Sequence, residues 1–160
     1  MAQPIKRDLR AYMREDAKKE EVVTVPGPIL DKDGNPDMLE IKVLSNATIQ
    51  EINDAYKEKV IATDGKGNPY IANGEVALRV ERNNRKASQH IIAEALVHPN
   101  LKDPELMKFF ECNDITEMPM KVFPKSDEYT CVSRAVMAAL GLIDEPTKEE
   151  TNKTIDEVKN

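Results

Sequence analysis

Asp31, Asp33, Asn35 and Asp37 stand at alternating positions, the spacing of the first oxygen ligands in an EF-hand calcium loop. Such a loop also turns on a Gly at its sixth position and closes with a bidentate Glu at its twelfth. Here those positions hold Pro36 and Lys42. A second set, Asp64, Asn68 and Glu75, fills positions 1, 5 and 12, but Lys66 brings a cation to the third position and Pro69 replaces the Gly. Neither stretch completes an oxygen cage, and no metal ligand is assigned.

Other reactive side chains are equally isolated. His90 and His98 lie eight residues apart in one expected helix, with no cysteine or carboxylate spacing to make a ligand set, and read as solvated or partly packed. Gly65-Lys66-Gly67 matches neither the phosphate-cradling G-x-x-x-x-G-K-[ST] pattern nor the dinucleotide G-x-G-x-x-G pattern, so it reads as a loop. Cys112 and Cys131 are expected as free thiols, since a reducing cytosol disfavours a bridge. No base and orienting group accompany either thiol as a nucleophile would require. Catalytic and cofactor-binding residues are therefore not assigned, and a non-enzymatic interaction protein is expected.

What remains is the chemistry of apolar contact. Met107, Phe109, Phe110, Met118, Met120 and Phe123 combine adaptable thioethers with aromatic rings, which suits a surface that repacks around varied apolar partners. Short helices also bury such residues in their own core. These six are the candidate partner-binding residues.

The elements that would carry them follow from periodicity. Ile5, Leu9, Tyr12 and Met13 share one helical face, predicting an N-terminal amphipathic helix within residues 1–20. Glu21 to Val25, bounded by Pro26-Gly27-Pro28, and the alternating Met38 to Leu44 predict a β-hairpin near 21–44, turned by Asp31-Lys32-Asp33-Gly34-Asn35-Pro36. Thr48 and Glu51 form a capping box, with Ile49, Ile52, Tyr56 and Val60 at helical spacing, predicting a helix over 48–63. The stretch from Asp64 to Gly74 reads as a loop, and Val76, Leu78 and Val80 fit either a strand or the start of the next helix. A central helix is expected over 83–98, then a short one capped by Asp103, another from Asp114 to Phe123, and a last from Ser126 to Leu140 with Gly141 behind it. Internal repeats are not apparent. The expected fold is mainly α (α+β), a compact helical domain over 21–143 with a small N-terminal β-hairpin. Its expected core is Ile91, Ile92, Ala95, Leu96, Leu106, Val132, Val136 and Leu140. Residues 144–160, with six acids, three lysines and only Ile155 and Val158 apolar, read as a disordered acidic C-terminal tail.

Composition narrows the partners. Across 160 residues the net charge is −6 and the cations are interspersed with acids, so no basic face is laid out for nucleic acid or an anionic membrane surface. No apolar run approaches the ~18 residues of a membrane span. The opening Met-Ala-Gln-Pro-Ile-Lys-Arg has no hydrophobic stretch behind its charges, which predicts a cytoplasmic protein.

One resemblance gives these features an order. The helix from Arg85 to His98 runs into Pro99-Asn100-Leu101-Lys102-Asp103-Pro104-Glu105-Leu106, and Glu128-Tyr129 opens an apolar helix ending at Leu140-Gly141. Together with the upstream hairpin turn and the Thr48 to Glu51 helix start, this resembles the XkdN-like tail assembly chaperones of tailed bacteriophages and prophages over residues 8–143. The chain departs from that pattern at Cys112-Asn113-Asp114 and at Pro124-Lys125-Ser126-Asp127. The resemblance implies a protein of the host bacterial cytoplasm that keeps the tape measure protein soluble during tail assembly and is absent from the mature virion. It also implies self-association, a possible contact with the tail tube protein, and in many members a frameshifted longer form. With the charge and motifs read above, no cofactor, no nucleic acid and no membrane partner is expected beside these. A structural tail component retained in the virion, such as a tail completion or minor tail protein, is the competing expectation.

Overall fold

The structure, a computed structural model, describes residues 8–144. Ile5, at the start of the expected first helix, and residues 145–160 of the expected tail lie outside them. Between residues 8 and 20 the chain makes two 3-10 turns, Arg10–Tyr12 and Asp16–Lys18, and no α-helix. Leu9, Tyr12 and Met13, read as one helical face, are all exposed there. Without an apolar surface to pack on, a short amphipathic stretch gains little from becoming helical.

The N-terminal hairpin is present and longer than its β-branched residues indicate. Strand β1 spans Val22–Leu30 and β2 spans Pro36–Lys42, antiparallel, with Val23 opposite Ile41 and Val25 opposite Leu39. Pro26-Gly27-Pro28, read as a boundary, lies inside β1. A strand tolerates prolines where their missing N–H faces no partner, and β1 is a sheet edge. Between Pro26–Met38 and Leu30–Pro36 the register shifts, with two extra residues on β1.

Ser45, rather than Thr48, caps helix α1, Asn46–Ala55: its side-chain oxygen accepts the Thr48 N–H at 3.2 Å. Ser45→Ala is expected to cost about 1 kcal/mol, read as a lowered denaturation midpoint in urea with an unchanged slope. The expected helix to 63 stops at Ala55. From there the backbone becomes strand β3, Lys57–Ile61, so Val60 belongs to a strand.

Strand β3 opens an arm over residues 57–82. It pairs with β6, Leu78–Arg82, setting Lys57 opposite Arg82, Lys59 opposite Val80 and Ile61 opposite Leu78. Beyond Ile61 the ribbon divides into two small hairpins. One turns through Asp64 to Gly67, closed by a bridge between Thr63 and Pro69, and the other is β4, Ile71–Ala72, with β5, Glu75–Val76, joined by Asn73-Gly74. Both turn residues have positive φ, 52° and 79°, as a two-residue hairpin turn requires. At the junction the Ala62 N–H donates to the Ala77 carbonyl, that of Ala77 to Tyr70 and that of Tyr70 to Ala62, at 2.7–2.9 Å.

The two polar turns share a sequence pattern, D-x-x-G-N-P, at Asp31 to Pro36 and at Asp64 to Pro69. Their geometry is the same. Gly34 and Gly67 donate to the Asp31 and Asp64 carbonyls at 3.1 Å, and both glycines are left-handed, φ 82° and 81°. Asp31 Oδ1 accepts the N–H of Asp33 and Asn35, and Asp64 Oδ1 accepts those of Lys66 and Asn68, at 2.8–3.0 Å. Of the aspartates spaced like calcium ligands, Asp31 and Asp64 instead lock type I turns, each closed by a left-handed glycine, while Asp37 bonds His98.

Helix α2, Asn84–Ala95, is capped by the Asn83 side chain and carries the most buried face of the chain: Ala87, Gln89, Ile91, Ile92, Ala93 and Ala95. It ends at Ala95 rather than His98, because β7, Leu96–His98, pairs with β2 and completes the sheet in the order β1-β2-β7. Val23, Val25, Leu39, Ile41 and Leu96 share its inner face. Against that layer lie α2 and α5, Ser126–Ala139, with α1 packed on α2.

Two short helices, α3, Pro104–Phe109, and α4, Met118–Val122, lie between α2 and α5. Asp103 caps α3 as expected, while Asp114 closes a turn on Thr116 ahead of α4. Gly141 ends α5 with φ 75°, its N–H bonded to the Ala138 carbonyl and that of Leu142 to Met137, which satisfies two terminal carbonyls.

The expected mainly α fold is corrected. The chain is 38% helix and 26% strand, with seven strands in three sheets and five α-helices among the described residues. Of the expected core, Ile91, Ile92, Ala95, Leu96, Val132 and Val136 are buried, and Leu106 and Leu140 pack partly buried against them. Leu39, Ile41, Leu101, Met118 and Phe123 are buried as well.

Candidate functional site

Two surface features stand out from this architecture, and the first is the arm. None of residues 57–82 is buried. A residue and its cross-strand partner share a face, so one face carries Lys57, Arg82, Lys59, Val80, Ile61 and Leu78. The other carries Glu58, Glu81, Val60 and Arg79, with Arg79 paired to Glu81. Ile61, Leu78 and Val80 are exposed, Val80 by 63%, as are Tyr70, Ile71 and Val76 toward the tip. A two-stranded ribbon is marginally stable alone in water, and this one joins the body through the Asn83 N–H to Tyr56 carbonyl bond and the Lys57 to Asp54 ion pair at 2.8 Å. Apolar residues concentrated on so thin an element mark a contact surface.

The second feature is a groove of about 570 Å³ between the first turns of α2 and the segment 116–121. Arg85, Lys86 and Gln89 form one wall, and Thr116, Glu117, Met120 and Lys121 the other. Beside it, two hydrogen bonds from Thr116, at 2.7 and 2.9 Å, hold the Asp114 carboxyl below the ordinary carboxylate range.

The six sequence-nominated contact residues are divided by the fold. Met118 and Phe123 are sealed in the core, and Met107 and Phe110 pack partly buried against it. Phe109 is 77% exposed, its ring edge-on to Phe110 at 5.0 Å between centroids. Met120 lines the groove, where its sulfur accepts from Gln89 Nε2 at 2.9 Å and Arg85 Nη2 at 3.4 Å. Thus one surface does not unite the six. The sequence reading places no contact residue in the arm, although Asn73-Gly74 between apolar residues is a strong hairpin signal.

The remaining reactive groups are dispersed. Both cysteines are free, Cys112 donating to the Asp114 carbonyl at 3.1 Å. Burial, with Asp127 nearby, pushes the Cys131 thiol up, the opposite of the shift that activates a nucleophile. His90 bonds the Tyr56 hydroxyl at 2.6 Å and His98 bonds Asp37 at 2.8 Å, tying α2 to α1 and β7 to β2. Among the described residues, no three His, Cys, Asp or Glu side chains converge on a metal position. None of the described helices is long and apolar enough to cross a membrane.

Comparison with known proteins places these surfaces in context. The crystal structure of the protein YqbN superposes with a TM-score of 0.61, covering 85% of this chain and 98% of that one at 20% identity, so the two share a fold. No curated protein matches the sequence. The phage XkdN-like tail assembly chaperone family matches over residues 9–159, the arm, the groove and nearly all of the C-terminal stretch included. With almost the whole length matched, the chain belongs to the phage XkdN-like tail assembly chaperone family.

Proposed function

We propose that this chaperone binds the tape measure protein in the host bacterial cytoplasm and keeps it soluble during tail assembly, leaving before the virion is complete. The observation that carries this reading is the arm, which presents Ile61, Leu78 and Val80 on one exposed face without drawing on the core. A holdase needs apolar surface that stays available while its own fold remains intact, and an arm with no buried residue meets both conditions. Phe109 and its partly buried neighbours Met107 and Phe110 add a second apolar contact on the body. The lysines beside the arm's apolar residues keep the ribbon soluble when it is empty and discourage edge-to-edge pairing.

Co-expression with the tape measure protein tests the reading. Wild-type chaperone is expected to move that protein into the soluble fraction and to co-purify with it. Leu78→Glu with Val80→Glu is expected to lose most of that effect while the chaperone's own thermal midpoint stays within a few degrees, since surface substitutions typically change stability by only about 0.5 kcal/mol. Equal solubilisation by the double variant would remove the arm from the mechanism. Mass spectrometry of purified particles separates the chaperone from a structural tail component, because only the latter remains in the virion.

A further inference from the structure

The groove between α2 and the 116–121 segment carries positive charge on an acidic protein. Arg85, Lys86 and Lys121 line it against the single acid Glu117, whereas the whole chain carries −6. The three cations are exposed, and none makes an ion pair within 4.0 Å among the described residues. Asp114, beside the groove, is engaged by its two bonds from Thr116.

Between the walls lies a buried donor. Gln89 is only 6% exposed, and its Nε2 meets the Met120 sulfur at 2.9 Å, while Arg85 Nη2 turns to the same sulfur at 3.4 Å. A thioether accepts weakly, so two good donors, one of them charged, converge on one poor acceptor. A carboxylate would serve them better. Hydrogen bonds to an ionised group are roughly twice as strong as neutral ones, and a guanidinium takes a carboxylate in a bidentate fork.

The walls also discriminate among anions. Glu117 repels a dianion more than a monoanion, which penalises phosphate relative to a carboxylate. Met120, 44% exposed, offers an adaptable apolar surface right beside the donors, suited to the side chain next to that carboxylate. With a volume of about 570 Å³ the groove has room for more than a single carboxylate, and it is open rather than enclosed, which admits a stretch of chain.

We propose that this groove binds an acidic segment of a protein partner in tail assembly. A Glu or Asp carboxylate of that segment sits on Arg85 and Gln89, Lys86 and Lys121 flank it, and an apolar neighbour rests on Met120. The site goes beyond the tape measure reading and does not depend on it, because that reading rests on the arm.

Titration of the full chain with a short capped peptide of Glu-Glu-Leu repeats, followed by amide chemical shifts, tests the site. Saturable shifts are expected at residues 83–89 and 116–121. Arg85→Glu with Lys121→Glu is expected to weaken binding about tenfold or more. Lys32→Glu with Lys66→Glu makes the same change in net charge at the two exposed polar turns and is expected to leave the affinity within about twofold. Glu117→Gln is expected to tighten binding, and Leu78→Glu with Val80→Glu to leave it intact. Thermal midpoints and far-UV circular dichroism should stay unchanged throughout. Equal binding of a Gln-Gln-Leu peptide, an equal loss in the turn variant, or no saturable shift in the groove would overturn the proposal. The same shifts with inorganic phosphate would replace it with a general anion site. Groove shifts that depend on protein concentration without peptide would assign the groove to a second copy of this chain instead.

Discussion

Phe123→Ala is expected to destabilise the protein by about 3–5 kcal/mol, the usual cost of truncating a fully buried aromatic. Phe123 is 2% exposed and sits in the core cluster with Met118, Ile92 and Val132, so its ring leaves a cavity that neighbours fill only partly. Against a total stability of about 5–15 kcal/mol, that loss should appear as a large fall in the urea midpoint with an unchanged slope. Phe109→Ala is the matched control. Its ring is mostly exposed, so stability should change by no more than about 0.5 kcal/mol, and any effect should appear in partner binding. Equal destabilisation by both would contradict the division of this Met and Phe cluster into core and surface.

Gly27→Ala is the second substitution with a large expected effect, and it acts through space. A Cβ at this position would lie 2.5 Å from the Asp37 carbonyl oxygen and 3.1 Å from Leu39 Cγ. The first contact is backbone and cannot rotate away, so β1 must move off β2 at the register shift beside Pro26. Forcing atoms into a packed site costs about 1–3 kcal/mol. Leu39 is core, and the displacement would therefore reach beyond the sheet edge. Expected results are a lowered midpoint and faster amide exchange along β1 and β2. Unchanged exchange on those strands would show that the hairpin absorbs the extra methyl without moving.

Both substitutions bear on how far the sequence could be read. Local signals were legible where the determining contacts are local. Asp103-Pro104-Glu105 starts α3 as its chemistry demands, Gly141 ends α5, and the spacing of Ile91, Ile92 and Ala95 locates the central helix. Errors arise where the deciding partner is distant in the chain. Val60 continues the helical spacing of Ile52 and Tyr56, yet becomes strand because residues 57–61 pair with 78–82. Leu96 to His98 extends the α2 pattern, yet pairs with β2 more than fifty residues earlier. Neither pairing leaves a trace in a window of one helix length. For the candidate site the limit was burial. Met118 and Phe109 look alike as contact residues, and only packing separates the sealed thioether from the open ring. The groove was less legible still, since Arg85 and Lys121 meet across 36 residues that show no common motif.

The arm has a consequence for how such a chaperone diverges. Because residues 57–82 supply nothing to the core, a substitution at Leu78 or Val80 changes what the ribbon touches without altering the packing of Leu39, Ile41 or Ile92. Selection can therefore act on the two parts at different rates. Under the proposed function, the body would drift slowly and the arm would track its client from one phage lineage to the next.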